Sequence, residues 1–135
     1  MYSILIVDDV PELRQQLEWA ASAEGREVVA ADSGEQAIRL IQQKDFDVIV
    51  TDLRMETEDV GLDVLEAAKE KDIYAQVIMV TAYGTPEISV ETMRLGAFDY
   101  LERNAPGTDT LSMVRSKITL ALEFREAKLG GKSQS

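Results

Sequence analysis

Five short apolar runs, separated by stretches of helical periodicity, constrain the fold of this sequence more than any other feature. Residues 4–7, 28–31, 48–50 and 77–80 are continuous and rich in Val and Ile. Such runs are what strands buried on both faces of a sheet require. Residues 97–101 form a fifth, more polar run. Between the runs, apolar residues recur three and four apart: Leu13, Leu17, Ala20 and Ala21; Ala37, Leu40 and Ile41; Leu62, Leu65 and Ala68; Leu111, Val114, Ile118, Ala121 and Leu122. That spacing lines one face of a helix. Pro11 and Pro86 suit first helical positions, Ser33 with Gln36 forms a candidate capping box, and Gly25 and Gly96 supply stops. Gly61 precedes the third helix, and the fifth starts at 108–110.

The pattern is a β-α unit repeated five times. Buried strands joined by helices demand a parallel sheet, and right-handed crossovers place helices on both of its faces. The expectation is one doubly wound (β/α)5 domain over residues 1–128. Residues 129–135, which include Gly130 and Gly131, read as a flexible C-terminal tail. At 135 residues the chain is long enough to bury one sizeable core.

Composition narrows the chemistry. There is neither Cys nor His, which removes thiolate and imidazole nucleophiles, disulfides, and thiolate or imidazole zinc sites. What remains is carboxylate, hydroxyl, lysine or arginine chemistry, or a hard metal held by oxygen. The net charge of −11, without a basic run, argues against direct nucleic-acid binding. No apolar stretch approaches the roughly 20 residues of a membrane span, and Met1 leads directly into the first strand without a signal segment, so a cytoplasmic location is expected.

In doubly wound sheets the site lies beyond the carboxyl ends of the strands. Here those ends carry Asp8-Asp9, Asp52 and Thr81, with Arg103 beyond the fifth run. Three carboxylates at one edge repel one another unless a cation neutralises them. Oxygen ligands and room for water favour Mg²⁺. An aspartate so placed can act as a nucleophile toward phosphorus, a reaction that needs positioning and charge neutralisation more than a base.

These residues, together with Thr81-Ala82 and the segment from Gly96 through Ala97, Phe98, Asp99 and Tyr100 to Leu101, resemble the receiver domain of two-component response regulators, over roughly residues 2–128. The resemblance implies a flavodoxin-like strand order 2-1-3-4-5. It implies that Asp52 is the phosphoacceptor, supplied by a sensor histidine kinase or a phosphotransfer protein. Asp8, Asp9, Asp52 and the backbone carbonyl of Arg54 would hold Mg²⁺ (or Mn²⁺). Thr81 and Tyr100 would be switch residues, and Arg103 would pair with the phosphoryl group. Arg54 and Tyr83 would tune the lifetime of the acyl phosphate. The face made by the fourth helix, fifth strand and fifth helix would read the change, to an effector, an output domain or a second copy. The protein is then a phosphoacceptor with at most self-catalysed phosphorylation and dephosphorylation, not an enzyme acting on other substrates. It is either a stand-alone receiver or part of a longer regulator.

Three departures from the family pattern stand out. Arg103-Asn104 replaces the usual Lys-Pro, Glu56 stands where proline is common, and Gly61 lies one residue farther from Asp52. The loop 54–60 is therefore longer and carries Glu56, Glu58 and Asp59, acids expected to oppose the approach of a phosphoryl dianion. They motivate an alternative: a pseudo-receiver that docks proteins without being phosphorylated. An aspartyl-phosphate phosphatase of the haloacid dehalogenase type needs D-x-D after its first strand, and Asp8-Asp9-Val10 lacks that spacing.

Overall fold

The alternation within each strand divides the core into two layers. Strand β1 spans Tyr2–Val7, and Ile4 and Ile6 point to one side of the sheet while Leu5 and Val7 point to the other. The first layer lies under α1 (Pro11–Ala21) and α5 (Thr110–Ser133) and is filled by Leu17, Ala20, Val114 and Ile118. The second lies under α2 (Gly34–Gln43) and α3 (Val60–Lys71) and is filled by Ala37, Ile41, Val64 and Leu65. With each fully buried aliphatic side chain contributing about 1.5–3 kcal/mol, these layers dominate the stability.

The computed structural model describes residues 1–103 and 105–133. The remaining elements are β2 (Arg26–Ala31), β3 (Val48–Thr51), β4 (Gln76–Thr81), α4 (Pro86–Arg94) and β5 (Asp99–Glu102). All pairings are parallel and the strand order is β2-β1-β3-β4-β5, the doubly wound arrangement expected. Strands β1, β3 and β4 are interior, which is why residues 48–50 and 77–80 carry no alternation with polar residues.

Element ends differ from the expected ones in ways the local chemistry explains. Strand β5 begins at Asp99 rather than 97, because Gly96, at φ +102°, turns the chain before the Phe98 N–H pairs with the Val77 carbonyl. Ser33 accepts from the Gln36 N–H as expected, but Gln36 Oε1 accepts from the N–H of Asp32, one residue before the cap. Helix α3 starts at Val60, so Gly61 lies inside its first turn. Helix α5 continues through Gly130 and Gly131 to Ser133, where the sequence reading placed a flexible tail from 129. Glycine costs a helix about 1 kcal/mol relative to alanine, which weakens the last turn without forbidding it. Gln134 and Ser135 lie outside the described residues.

Candidate functional site

The sheet register fixes where the chemistry sits. Val7 pairs with Thr51, so the residues that follow them, Asp8 and Asp52, leave the sheet side by side. The ladder runs one step past each strand: the Asp8 N–H donates to the Ala31 carbonyl, Asp52 N–H to Val7, and Arg103 N–H to Thr81. The backbones of Asp8, Asp52 and Arg103 are therefore held by sheet hydrogen bonds, although the residues themselves lie outside the strands. Such support gives side chains at a strand end a precision that a free loop lacks.

Asp8 and Thr81 are fully buried, Asp52 is 4% exposed, and Asp9 is exposed. One carboxylate oxygen from each of Asp8, Asp9 and Asp52 lies within 4.8 Å of the others. The two oxygens of Asp52 differ. Oδ1 accepts from the backbone N–H groups of Leu53, at 2.7 Å, and Arg54, at 3.4 Å. Oδ2 faces the Arg103 guanidinium, with Nη1 at 3.9 Å. Asp8 Oδ2 accepts from Arg103 Nη2 at 3.0 Å, and its Oδ1 accepts from the Val10 N–H at 2.9 Å. Burial pushes the Asp52 carboxyl above the ordinary aspartate value; Arg103 pulls it down, Asp8 pushes it up, and the Leu53 and Arg54 amides pull it down. A site that resists carrying charge in this way favours a cation beside it.

The flanking residues are also brought together. The Arg54 guanidinium lies 4.6 Å from the centroid of the Tyr83 ring, so the side chains two positions after Asp52 and Thr81 stack on each other. Thr81 Oγ1 accepts from the Tyr83 N–H at 3.1 Å. Tyr100 turns its hydroxyl inward, against Gly84 and the Thr81 side of the site. That hydroxyl is buried and finds no hydrogen-bond partner among the described residues. Asn104 lies outside the described residues.

Residues 4–115 match the family described as the response regulator receiver domain. The chain belongs to this family. The C4-dicarboxylate transport transcriptional regulatory protein DctD of Pseudomonas aeruginosa is 35% identical over 130 residues, 93% of this chain and 28% of that protein. The regulatory protein AtoC of Escherichia coli is 38% identical over 98 residues, 73% of this chain and 21% of that protein. Among solved structures, a response regulator receiver domain protein from Clostridium thermocellum superposes with a TM-score of 0.81 at 26% identity, covering 94% of this chain and 98% of that one. The chain thus spans only about a quarter of the length of these curated relatives. No described helix is long and apolar enough to cross a membrane.

The structure gives three residues near the site roles that the sequence reading did not assign. Glu56, placed there in an acidic loop facing the phosphoryl group, turns its carboxylate to the start of α2: Oε1 accepts from the Gly34 N–H and Oε2 from the Glu35 N–H, both at 2.9 Å. Gly61 is needed for space, since a Cβ there would overlap the Asp52 carbonyl oxygen and come within 2.6 Å of Leu53 Cα. Gly84 is the third: a Cβ there would overlap the Tyr100 hydroxyl. The steric role of neither glycine is readable in sequence, because the neighbour each one admits is remote or part of a folded loop.

Proposed function

We propose that the chain is a phosphorylatable receiver whose Asp52 accepts a phosphoryl group from a phosphohistidine on a partner kinase or phosphotransfer protein. One observation carries this reading. Asp52 is buried at a strand end with Oδ1 saturated by backbone amides, while Oδ2 faces a guanidinium beside two further carboxylates. Oδ2 is thus the free nucleophile. It forms a bond to phosphorus as the nitrogen–phosphorus bond of the donor breaks, and the imidazole nitrogen keeps that electron pair. The donor must come from outside, since the chain has no histidine.

The donor set suits Mg²⁺ (or Mn²⁺): three carboxylates, oxygen only, with oxygens within 4.8 Å of one another. Asp8, Asp9, Asp52 and the Arg54 carbonyl would hold the ion, which supplies charge neutralisation at the transferring group. Arg103 offers N–H donors to a phosphoryl oxygen, and Thr81 a hydroxyl. The Arg54–Tyr83 stack at the rim shields the acyl phosphate from water and so extends its life. The phosphoryl group biases a two-state equilibrium in which Thr81 and Tyr100 move with the loop before α4. The face formed by α4, β5 and α5 carries exposed Val90 and Met93 and is the surface that an effector, an output domain or a second copy reads.

Mass measurement after incubation with acetyl phosphate and Mg²⁺ tests the reading. The wild type gains one phosphoryl group and Asp52→Asn gains none. An unmodified wild type under conditions where its fold is intact rejects phosphorylation and leaves the pseudo-receiver.

A further inference from the structure

The end of the sheet opposite Asp52 carries a groove that phosphoryl chemistry leaves unused. Strand β4 runs from Gln76 to Thr81, so at about 3.3 Å per residue its two ends lie about 17 Å apart. A groove of about 540 Å³ opens at the Gln76 end, between the last turns of α3 and the C-terminal half of α5. Lys69, Gln76, Ala97, Phe98, Phe124 and Lys128 are among the residues that line it. Its volume is that of a small-molecule site.

The charge of the groove is the reverse of the chain's. The sequence has 25 Asp and Glu against 14 Lys and Arg, yet two lysines and no acid line the groove. Neither lysine forms a salt bridge among the described residues. Lys69 Nζ donates to the carbonyls of Ile73, at 2.7 Å, and Ala75, at 3.0 Å, which leaves one N–H. Burial pulls the Lys69 ammonium below its ordinary value, so an anion beside it would relieve that cost. Lys128 Nζ lies 5.2 Å from the centroid of the Phe124 ring, itself exposed.

The lining also holds a polar group that the fold does not use up. Gln76 is 4% exposed, and its Nε2 donates to the Tyr74 carbonyl at 2.8 Å. That bond fixes the orientation of the amide. Its Oε1 carries no hydrogen bond among the described residues, yet it is not sealed from the groove that Gln76 lines. An acceptor and one spare N–H on a nearly buried amide call for a partner. A base that presents a donor and an acceptor on neighbouring atoms is complementary to such an amide. Phe98 and Phe124, with ring centroids 5.7 Å apart, supply apolar aromatic walls for it. We propose that this groove binds a purine nucleotide, with the base edge on the Gln76 amide beside Phe98 and Phe124, and the phosphate on Lys128 and Lys69. The site is separate from Asp52 and does not depend on its phosphorylation.

Titration of the ¹⁵N-labelled full chain with AMP, followed by amide chemical shifts, tests this. EDTA in the sample keeps a metal-bound phosphate out of the Asp52 site. Saturable shifts should gather at Gln76, at residues 96–98 and at residues 124–128, and Asp52→Asn should bind as the wild type does. Gln76→Met keeps the side-chain volume but deletes the acceptor, and should weaken binding about tenfold. Lys128→Glu, and adenosine in place of AMP, should each cost about as much. CMP, with its smaller ring, should bind several-fold more weakly, and ribose 5-phosphate should leave the groove unshifted. No saturable shift in a folded wild type, shifts confined to the Asp8–Asp52 edge, or CMP or ribose 5-phosphate binding as well as AMP overturns the proposal. So does unchanged binding by folded Gln76→Met or by Lys128→Glu. Should Gln76→Met fail to fold, the exposed Lys128→Glu and the adenosine and CMP titrations decide.

Discussion

Replacing Glu56 by alanine should destabilise the protein by about 1–2 kcal/mol, although Glu56 is exposed and far from the core. Its two oxygens accept from the Gly34 and Glu35 N–H groups, while Ser33 accepts from Gln36. Side-chain cap and tether together satisfy three of the four N–H groups that a helix start leaves open. Losing a side-chain cap costs roughly 0.5–2 kcal/mol, and an exposed charge at a helix N-terminus is worth about 0.3–1 kcal/mol. The two overlap, which sets the total. For a domain of this size, that corresponds to a fall of about 3–7 °C in Tm.

The pH dependence identifies the mechanism. Burial opposes ionisation of Glu56, but the amides of Gly34 and Glu35, with its own N–H, outweigh it and hold the carboxyl below the ordinary 4.5. A depressed carboxylate stabilises the fold fully above its unfolded value and loses that contribution as pH falls through the lower folded value. The stability gap between wild type and Glu56→Ala should stay constant from neutrality to about pH 5, then close below 4.5. Urea unfolding across that range measures it. Glu58→Ala is the control: this exposed acid in the same loop should change stability by no more than about 0.5 kcal/mol. If Glu56→Ala behaves like Glu58→Ala at pH 7, or its gap persists at the acid end, the tether to α2 is not what Glu56 contributes.

Gly84→Ala should expel the Tyr100 ring from its inward position, because the added Cβ overlaps the hydroxyl; a changed set of Tyr100 ring resonances without unfolding reports this, and an unchanged set contradicts it. Tyr100→Phe should raise the stability of the unmodified protein by about 1 kcal/mol in urea unfolding, since it deletes a buried hydroxyl that has no partner among the described residues. Gly61→Ala should cost about 1–3 kcal/mol and also slow modification of Asp52 by acetyl phosphate, because the clash falls on the backbone of Asp52 and Leu53. Thr81→Ala should leave Asp52 phosphorylation possible but weaken the difference in partner affinity between the two states; an undiminished difference would show that the hydroxyl does not couple them.

What the sequence made legible follows from the range of each interaction. Strand and helix periods are local, so 48–50 and 77–80 were readable as buried strands, and the rule for parallel sheets then carried Asp8, Asp52 and Thr81 to one edge. The ladder bonds that hold those backbones come with the same topology. Glu56 is the opposite case. Its partners lie 22 and 21 residues away in sequence, and no local period links a loop acid to the start of a helix. The inward position of Tyr100 likewise depends on the absence of a side chain at Gly84, 16 positions earlier in a different element. The end of α5 was misplaced because a glycine pair weakens a helix without dictating where it stops.

Two of the departures that set this chain apart from the family pattern also cease to be independent. An acid in place of proline and one extra residue before Gly61 looked like separate insults to a site that must admit a phosphoryl dianion. Proline has no side-chain acceptor to offer a helix start, whereas Glu56 supplies two oxygens, and the longer loop gives it the reach to α2. The loop stays in register at its far end, where the Gly61 N–H donates to the Leu53 carbonyl at 2.9 Å and Val60 packs against Gly34. The carboxylate that seemed most threatening to the site is therefore engaged elsewhere by two backbone donors. The loop that follows Asp52 becomes a strut between β3 and α2, and displacing it would remove two acceptors from the start of a helix. On the opposite side of the site Tyr100 has no such anchor, since its buried hydroxyl finds no partner among the described residues.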